Sequence, residues 1–316
     1  MALIAAHADW SAHPGKRWAA LARRAGGRWR IEAPRPVGDP RGFAAALLAE
    51  GAPAALGLDL PLGLPRAYAA VRPEADFPRF LAARTGDARF FTVNETLATV
   101  APESPFYPRR GVRGMTRAAH AAALGLPDAA ALSRWCDRAT AERPAGAPLF
   151  WTLGPNQSGK AAIAAWRDWL APALAEGAPL ALWPFAGPLH GLLARGRLAL
   201  AEVYPAEALR QLGLRMPGSK RAQAARRALA GPLRACMAAL GAEPAPALRD
   251  AIAEGFGADA AGEDRLDCVL GLLALIQVLD GRRADRVPED EAVRRWEGWV
   301  LGQHALPRDR AGGRCP

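Results

Sequence analysis

Lysine is nearly missing from this chain of 316 residues: of its 41 basic residues only Lys16, Lys160 and Lys220 are lysine. Arginine supplies the rest, and the excess of Ala, Gly and Pro beside it points to a GC-rich coding bias. Cysteine is scarce as well. Cys136, Cys236, Cys268 and Cys315 form no C-x-x-C pair and have no histidine at zinc-ligand spacing, which excludes a zinc ribbon or a disulfide scaffold and suits a reducing, cytoplasmic compartment. No apolar run is long enough to cross a bilayer. The strongest, residues 268–279, stops well short of about 20 residues, and the N-terminus has no basic segment ahead of a long apolar one, so neither membrane association nor secretion is expected. The five histidines show no metal-binding spacing among themselves. Two of them, His7 and His13, flank Asp9 and are expected in turns or at the surface.

What is present suits a folded α/β chain. Hydrophobic residues make up 51% of the sequence, enough for a sizeable core at this length. The formal net charge of +10 and a pI near 10.4 favour polyanionic partners. Basic residues gather at Arg109, Arg110, Arg113 and Arg117, at Lys220, Arg221, Arg226 and Arg227, and at Arg282, Arg283 and Arg286. Each cluster could follow a phosphate backbone or simply be a solvated face.

The segment "FWTLGPNQSGKAAIAAW", residues 150–166, imitates a Walker A loop, with Gly154, Gly159 and Lys160 at the required spacing. Ala161 occupies the position that must offer Mg²⁺ a hydroxyl, and Pro155 removes an N–H from a loop meant to present them to phosphate. A nucleotide-hydrolysing P-loop is therefore disfavoured against a strand-turn-helix junction that needs its glycines.

Hydrophobic patterning predicts a first strand over 2–8 ending at Asp9, a hairpin of strands 17–22 and 28–33, a helix over 41–49, and a strand carrying Asp59 in "GLDLPLGLP". Residues 66–147, rich in Pro and Arg, read as an insertion of short helices and loops. Strands follow at 149–153, 180–185 and 198–204, then helices at 222–240, 247–254 and 264–279. The chain thus divides into a core of 1–65 and 148–316 and an inserted 66–147. Trp10, Trp18, Trp29, Trp151, Trp166 and Trp169 read as packing residues, and Trp296 and Trp299 as clamps on a terminal helix.

Carboxylates interrupt the apolar segments. Asp9, Asp59, Glu202 in "LALAEVYPAE", and Asp264 and Asp267 in "EDRLDCVLGLLALIQVL" each sit in or beside a predicted core element. A buried carboxylate is costly unless paired, and a divalent cation pairs with it directly. Residues three apart share a helical face, so Asp264 and Asp267 could point together towards the strand acids. Such a cluster suits two-metal hydrolysis of a phosphodiester, with Mg²⁺ or Mn²⁺ ions held about 4 Å apart by hard oxygen ligands. Each acid also has a structural alternative: a turn for Asp9 and Asp59, an arginine partner for Glu202, a helix first turn for Asp264.

The order of these features resembles the ribonuclease H-like fold, a mixed sheet flanked by helices. The blocks "GLDLPLGLP", "NQSGKAAI", "AEVYPAEAL" and "EDRLDCVLGLLALIQVL" look like those of the domain-of-unknown-function family 429, regarded as predicted ribonuclease H-like nucleases. The resemblance covers the chain in blocks, least in 66–147. It implies metal-binding positions at Asp9, Asp59 and Asp267, a further acid at Glu202 or Asp264, and a role for Lys160 in orienting a carboxylate or touching the scissile phosphate. His7-Ala8-Asp9-Trp10 departs from the pattern where a glycine near the acid would be expected. The function implied is a metal-dependent nuclease, a hydrolase acting on DNA or RNA. Two other readings are a catalytically silent module that binds nucleic acid or protein, and a nucleotide-dependent phosphotransferase.

Overall fold

A computed structural model describes residues 2–154 and 157–308; Pro155 and Cys315, both considered above, lie outside them. Among the described residues, eight strands form one sheet: β1 (Leu3–Asp9), β2 (Trp18–Ala25), β3 (Arg28–Ile31), β4 (Arg35–Pro36), β5 (Ala54–Leu58), β6 (Leu180–Leu182), β7 (Leu198–Glu202) and β8 (Ala242–Pro244). The order is β6-β7-β5-β1-β2-β3-β8, with β4 against β2. The β1-β2-β3 meander is antiparallel, whereas β5 runs parallel to β1 and β7 parallel to both β5 and β6. The chain is therefore an α/β protein with a mixed, mostly parallel sheet.

Why β1 sits centrally follows from its residues. In "LIAAHAD" nearly every side chain is apolar, as a strand covered on both faces requires, and small alanines let helices approach closely. Alternate residues serve different layers. Ile4, Ala6 and Ala8 join Leu21, Leu56, Leu58 and Leu200 in one apolar cluster. Leu3 and Ala5 join Ala22, Ala55, Ala201 and the long helix Gly262–Leu279 in the other.

The first layer contains the helix Pro40–Ala49, started by Asp39, whose carboxylate accepts from the Gly42 N–H at 2.7 Å, with Pro40 in the first turn. It also absorbs residues 66–147. That segment contributes no strand to the sheet, only short helices such as Phe77–Ala82 and Arg117–Ala123. Its Tyr68, Phe77, Phe80, Phe90 and Phe106 enter the same cluster as Ile4 and Leu56.

Three predicted elements differ. Residues 149–153 form no strand; Trp151 makes a single bridge to Tyr107, and Leu149 and Phe150 are apolar because they are buried. Apolar runs report burial, and only a partner strand converts one into sheet. The predicted helix over 222–240 is two helices, Gln223–Ala228 and Ala230–Ala239. Pro232 has no N–H for the Ala228 carbonyl, and its ring crowds that carbonyl, so the break falls there. Near the C-terminus a short π-helical turn, Val293–Glu297, replaces an extended helix. Trp296 meets Phe80 edge-on, and Trp299 meets Trp135 in the same way. Trp10, Trp29, Trp151, Trp166 and Trp169 are buried and Trp18 half-buried, as packing residues should be.

Candidate functional site

The strand ends and the long helix bring four aspartates into one charge neighbourhood, although among the described residues no three of them hold ligand atoms within 4.8 Å of one another. Asp9 ends β1, and Asp59 follows β5 immediately, its N–H donating to the Ala8 carbonyl at 3.0 Å. Because β1 and β5 pair in parallel with Ala8 opposite Leu58, the two carboxyls emerge side by side at the carboxyl end of the sheet. Side-chain alternation aims both at the face carrying the long helix, the face of Ala5, His7 and Ala55.

The helix delivers its acids by register. At Gly271 a Cβ would lie 2.3 Å from the His7 imidazole, so only glycine allows this close contact between helix and β1. From His7 to Asp9 is two strand residues, about 6.6 Å. From Gly271 back to Asp267 is four helical residues, about 6 Å. The helix runs against β1, so matching rises place Asp267 beside Asp9, with Asp264 one turn further out on the same face.

This juxtaposition is visible in the electrostatics. Burial, then the neighbouring charges of Asp59 and Asp267, push the Asp9 carboxyl up to about 10. Burial first, then Asp267, raises Asp59 to about 7. Asp267 rises to about 6 through burial, although Lys220 pulls the other way. Asp264 is raised as well, by burial and then Glu263. Asp9 and Asp59 act on one another's ionisation, so their protons belong to the pair and not to either residue. The site is a set of hard oxygen donors short of positive charge, which is the chemistry that Mg²⁺ or Mn²⁺ relieves.

Among the described residues, Lys220 is the basic group that hydrogen-bonds one of these acids. Its Nζ donates to Asp267 Oδ1 at 2.7 Å and Oδ2 at 2.6 Å. The loop carrying it is tied down by the buried guanidinium of Arg226, which donates to the carbonyls of Lys220, Arg221, Gly255 and Gly257. This second basic cluster is therefore no solvated patch: two of its four members hold the site together. Lysine scarcity was the available signal, because a lone lysine among arginines is unlike its surroundings.

Lys160 is elsewhere. Its backbone N–H donates to Gln157 Oε1 at 3.1 Å, and among the described residues its side chain makes no ion pair. Gly159 explains the Walker-like spacing, since a Cβ there would lie 2.4 Å from the Leu149 carbonyl oxygen. The motif is a packing requirement of the helix Gly159–Ala165.

Glu202 belongs to a different cluster. In β7 it alternates with Ala201 and Val203 and so faces the opposite layer, with Leu198 and Leu200. There the fully buried Arg134 donates to Glu202 Oε2 at 2.7 Å and Oε1 at 2.6 Å, to Asp137 at 2.9 and 3.0 Å, and to the Tyr204 hydroxyl at 3.1 Å. The Leu62 N–H also donates to Glu202, at 2.7 Å. Cys136, Asp137 and Glu202 hold potential ligand atoms within 4.8 Å of one another. Arg134 already neutralises the carboxylates, and burial holds the Cys136 thiol well above its usual range, so a cation here would have to displace a guanidinium.

His7 lies in the core and not at the surface: it is fully buried, its Nε2 3.0 Å from the Val203 carbonyl and its Nδ1 without a partner. Burial lowers it to about 4, so it is neutral. His13 is exposed in a turn, its Nδ1 accepting from the Gly15 N–H.

A pH dependence follows. In the unfolded chain Asp9 and Asp59 lose their protons near pH 4, whereas the folded pair keeps one across neutral pH. The folded state binds more protons, so stability falls as pH rises. His7, with its lowered folded value, acts in the opposite sense but only below about 6.5. In EDTA the stability measured by calorimetry should therefore drop by about 2 kcal/mol between pH 6.5 and 8, at about 1.4 kcal/mol per unit for one proton. Saturating Mn²⁺ should remove the drop. A flat profile in EDTA would show that the pair holds no extra proton.

No family model matches this chain, and no curated protein or solved structure shows significant similarity to it.

Proposed function

We propose that the chain is a metal-dependent nuclease of ribonuclease H-like type that hydrolyses phosphodiester bonds in DNA or RNA. The observation that carries the reading is the convergence of Asp9, Asp59, Asp264 and Asp267 from two adjacent strand ends and one helix, with Lys220 as their cationic partner. The position supports it: in open α/β sheets, ligands bind beyond the carboxyl ends of the strands. The resemblance of the "GLDLPLGLP" and "EDRLDCVLGLLALIQVL" blocks to family 429 supports it as well.

Mg²⁺ or Mn²⁺ bound at these carboxylates would supply a Lewis acid for a phosphoryl oxygen and an ionised water at neutral pH. The chain's own contribution is positional. Asp9 and Asp59 are fixed by strand pairing, which leaves little reorganisation on binding. Asp267 is held on the helix and oriented by Lys220.

A nucleic-acid partner is supported by a groove of about 800 Å³ lined by Arg66, Arg117, Arg138 and Arg308, with one acid, Asp128, among mostly small residues. Arg66 is engaged by Asp290 and Glu297, and Arg117 lies over Trp151. Arg138 and Arg308 are exposed and, among the described residues, pair with no carboxylate, so they are available to phosphates.

The test is cleavage of end-labelled single- and double-stranded DNA and RNA in Mg²⁺ or Mn²⁺, with EDTA and Asp9→Asn as controls. Products should appear with metal and be reduced at least about 100-fold by the substitution. Metal-indifferent, salt-sensitive retention of nucleic acid without cleavage would instead support the silent binding module.

A further inference from the structure

Lys220 occupies an unusual place for a side chain so rare in this sequence. Its ammonium engages both oxygens of Asp267, its loop is anchored by Arg226, and its charge is felt by Asp59 as well. An ammonium is a compact point charge with three donors, closer in shape to a hydrated cation than arginine's flat fork is. Two of its donors go to Asp267. Among the described residues the third has no acceptor.

Asp267 is correspondingly matched in charge, since both of its oxygens accept from the ammonium. Among the described residues, the deep carboxylates with no cation hydrogen-bonded to them are Asp9 and Asp59. Asp264 stands further out, raised by burial and by Glu263, with the nearby charge of Lys16 acting against that rise. Four carboxylates are then matched by one dication and two lysines.

We propose that the site takes a single divalent cation between Asp9 and Asp59, and that Lys220 supplies the second positive charge that a two-metal centre would draw from another ion. Its remaining N–H is left to donate to a non-bridging oxygen of the scissile phosphate. The inference rests on the metal-dependent reading above and specifies its stoichiometry. It also accounts for the anchoring of the loop: an ammonium standing in for an ion must be held as firmly as a ligated one, and Arg226 fixes the backbone on either side of the Lys220–Arg221 peptide.

Mn²⁺ titration calorimetry on the full chain tests this, with stoichiometry as the readout and no turnover required. The parent should bind one Mn²⁺, Lys220→Met should bind two because Asp267 is released, and Lys220→Arg, which keeps the charge, should bind one. Two ions on the parent would overturn the inference and leave the metal-dependent reading standing. A stoichiometry of one in Lys220→Met would also overturn it. Absence of Mn²⁺ binding by the parent would overturn both. If Lys220→Met fails to fold, Lys220→Gln, which keeps a donor and loses the charge, should bind two, and a stoichiometry of one there would overturn the inference.

Discussion

Asp59→Asn is expected to make the protein more stable and a much weaker binder of metal. Asparagine keeps the shape of the side chain and can still hydrogen-bond to Asp9, but it removes a carboxyl that burial and Asp267 hold up at about 7. At pH 8 in EDTA an ionised Asp59 opposes folding by an amount on the order of 4 kcal/mol, from its shift relative to the unfolded chain. Asp9, freed of its neighbour's charge, ionises more readily, which adds to the gain, while the neutral amide's weaker hydrogen bond to Asp9 offsets part of it. A gain of about 2 kcal/mol or more is the net expectation. Mn²⁺ affinity should fall by more than the 10- to 100-fold typical of losing a group behind a ligand, roughly 100-fold at least. Thermal melts in EDTA and calorimetry with Mn²⁺ read the two effects separately. Parent-like Mn²⁺ affinity in the variant would remove Asp59 from the site. A lower melting temperature would show that its carboxylate is structural. The opposite signs of the two effects distinguish a functional acid from one that holds the fold together.

Arg134→Met should act in the contrary way, with a large loss of stability. Its guanidinium is fully buried and donates to Glu202, Asp137 and Tyr204 at once. Methionine fills much of the space but leaves two buried carboxylates without a counter-charge. Breaking a buried ion pair from one side costs about 3–5 kcal/mol. Urea denaturation should show that loss, and the double variant Arg134→Met with Glu202→Gln should recover part of it. Glu202→Gln alone should cost less, because its amide oxygen can still accept from Leu62 or Arg134, and its Mn²⁺ affinity should match the parent's. Were Glu202→Gln to abolish Mn²⁺ binding, the metal would belong to the Cys136, Asp137 and Glu202 group. A loss below about 1 kcal/mol in Arg134→Met would mean that Asp137 and Glu202 are stabilised by other means.

These two clusters show how far a sequence can be read. Asp9, Asp59 and Asp267 stand out as acids interrupting apolar runs, and the glycine turn, the first helix and the long C-terminal helix are legible from local pattern. Glu202 satisfies the same criterion and lies in the other layer. The difference is one of parity: a strand residue's face depends on its register with neighbours, and a shift of one reverses it. No local signal in "LALAEVYPAE" fixes that register. It is set by the pairing of Leu58 with Glu202 and of Ala8 with Leu58.

The two lysines repeat the point. Lys160 sits in a recognisable motif, but Gly159 is there because the helix packs against the Leu149 carbonyl. Lys220 sits in no motif, and a loop folded around Arg226 carries it to Asp267. The sequence by itself determined the α/β class, the central strands, the first helix and the acids of the long helix, because helix and strand periodicity, capping and burial are local properties of neighbouring residues. Tertiary structure alone decided which acids meet, which lysine joins them and which arginine neutralises Glu202, because those choices depend on sheet register and helix docking between residues far apart in the chain.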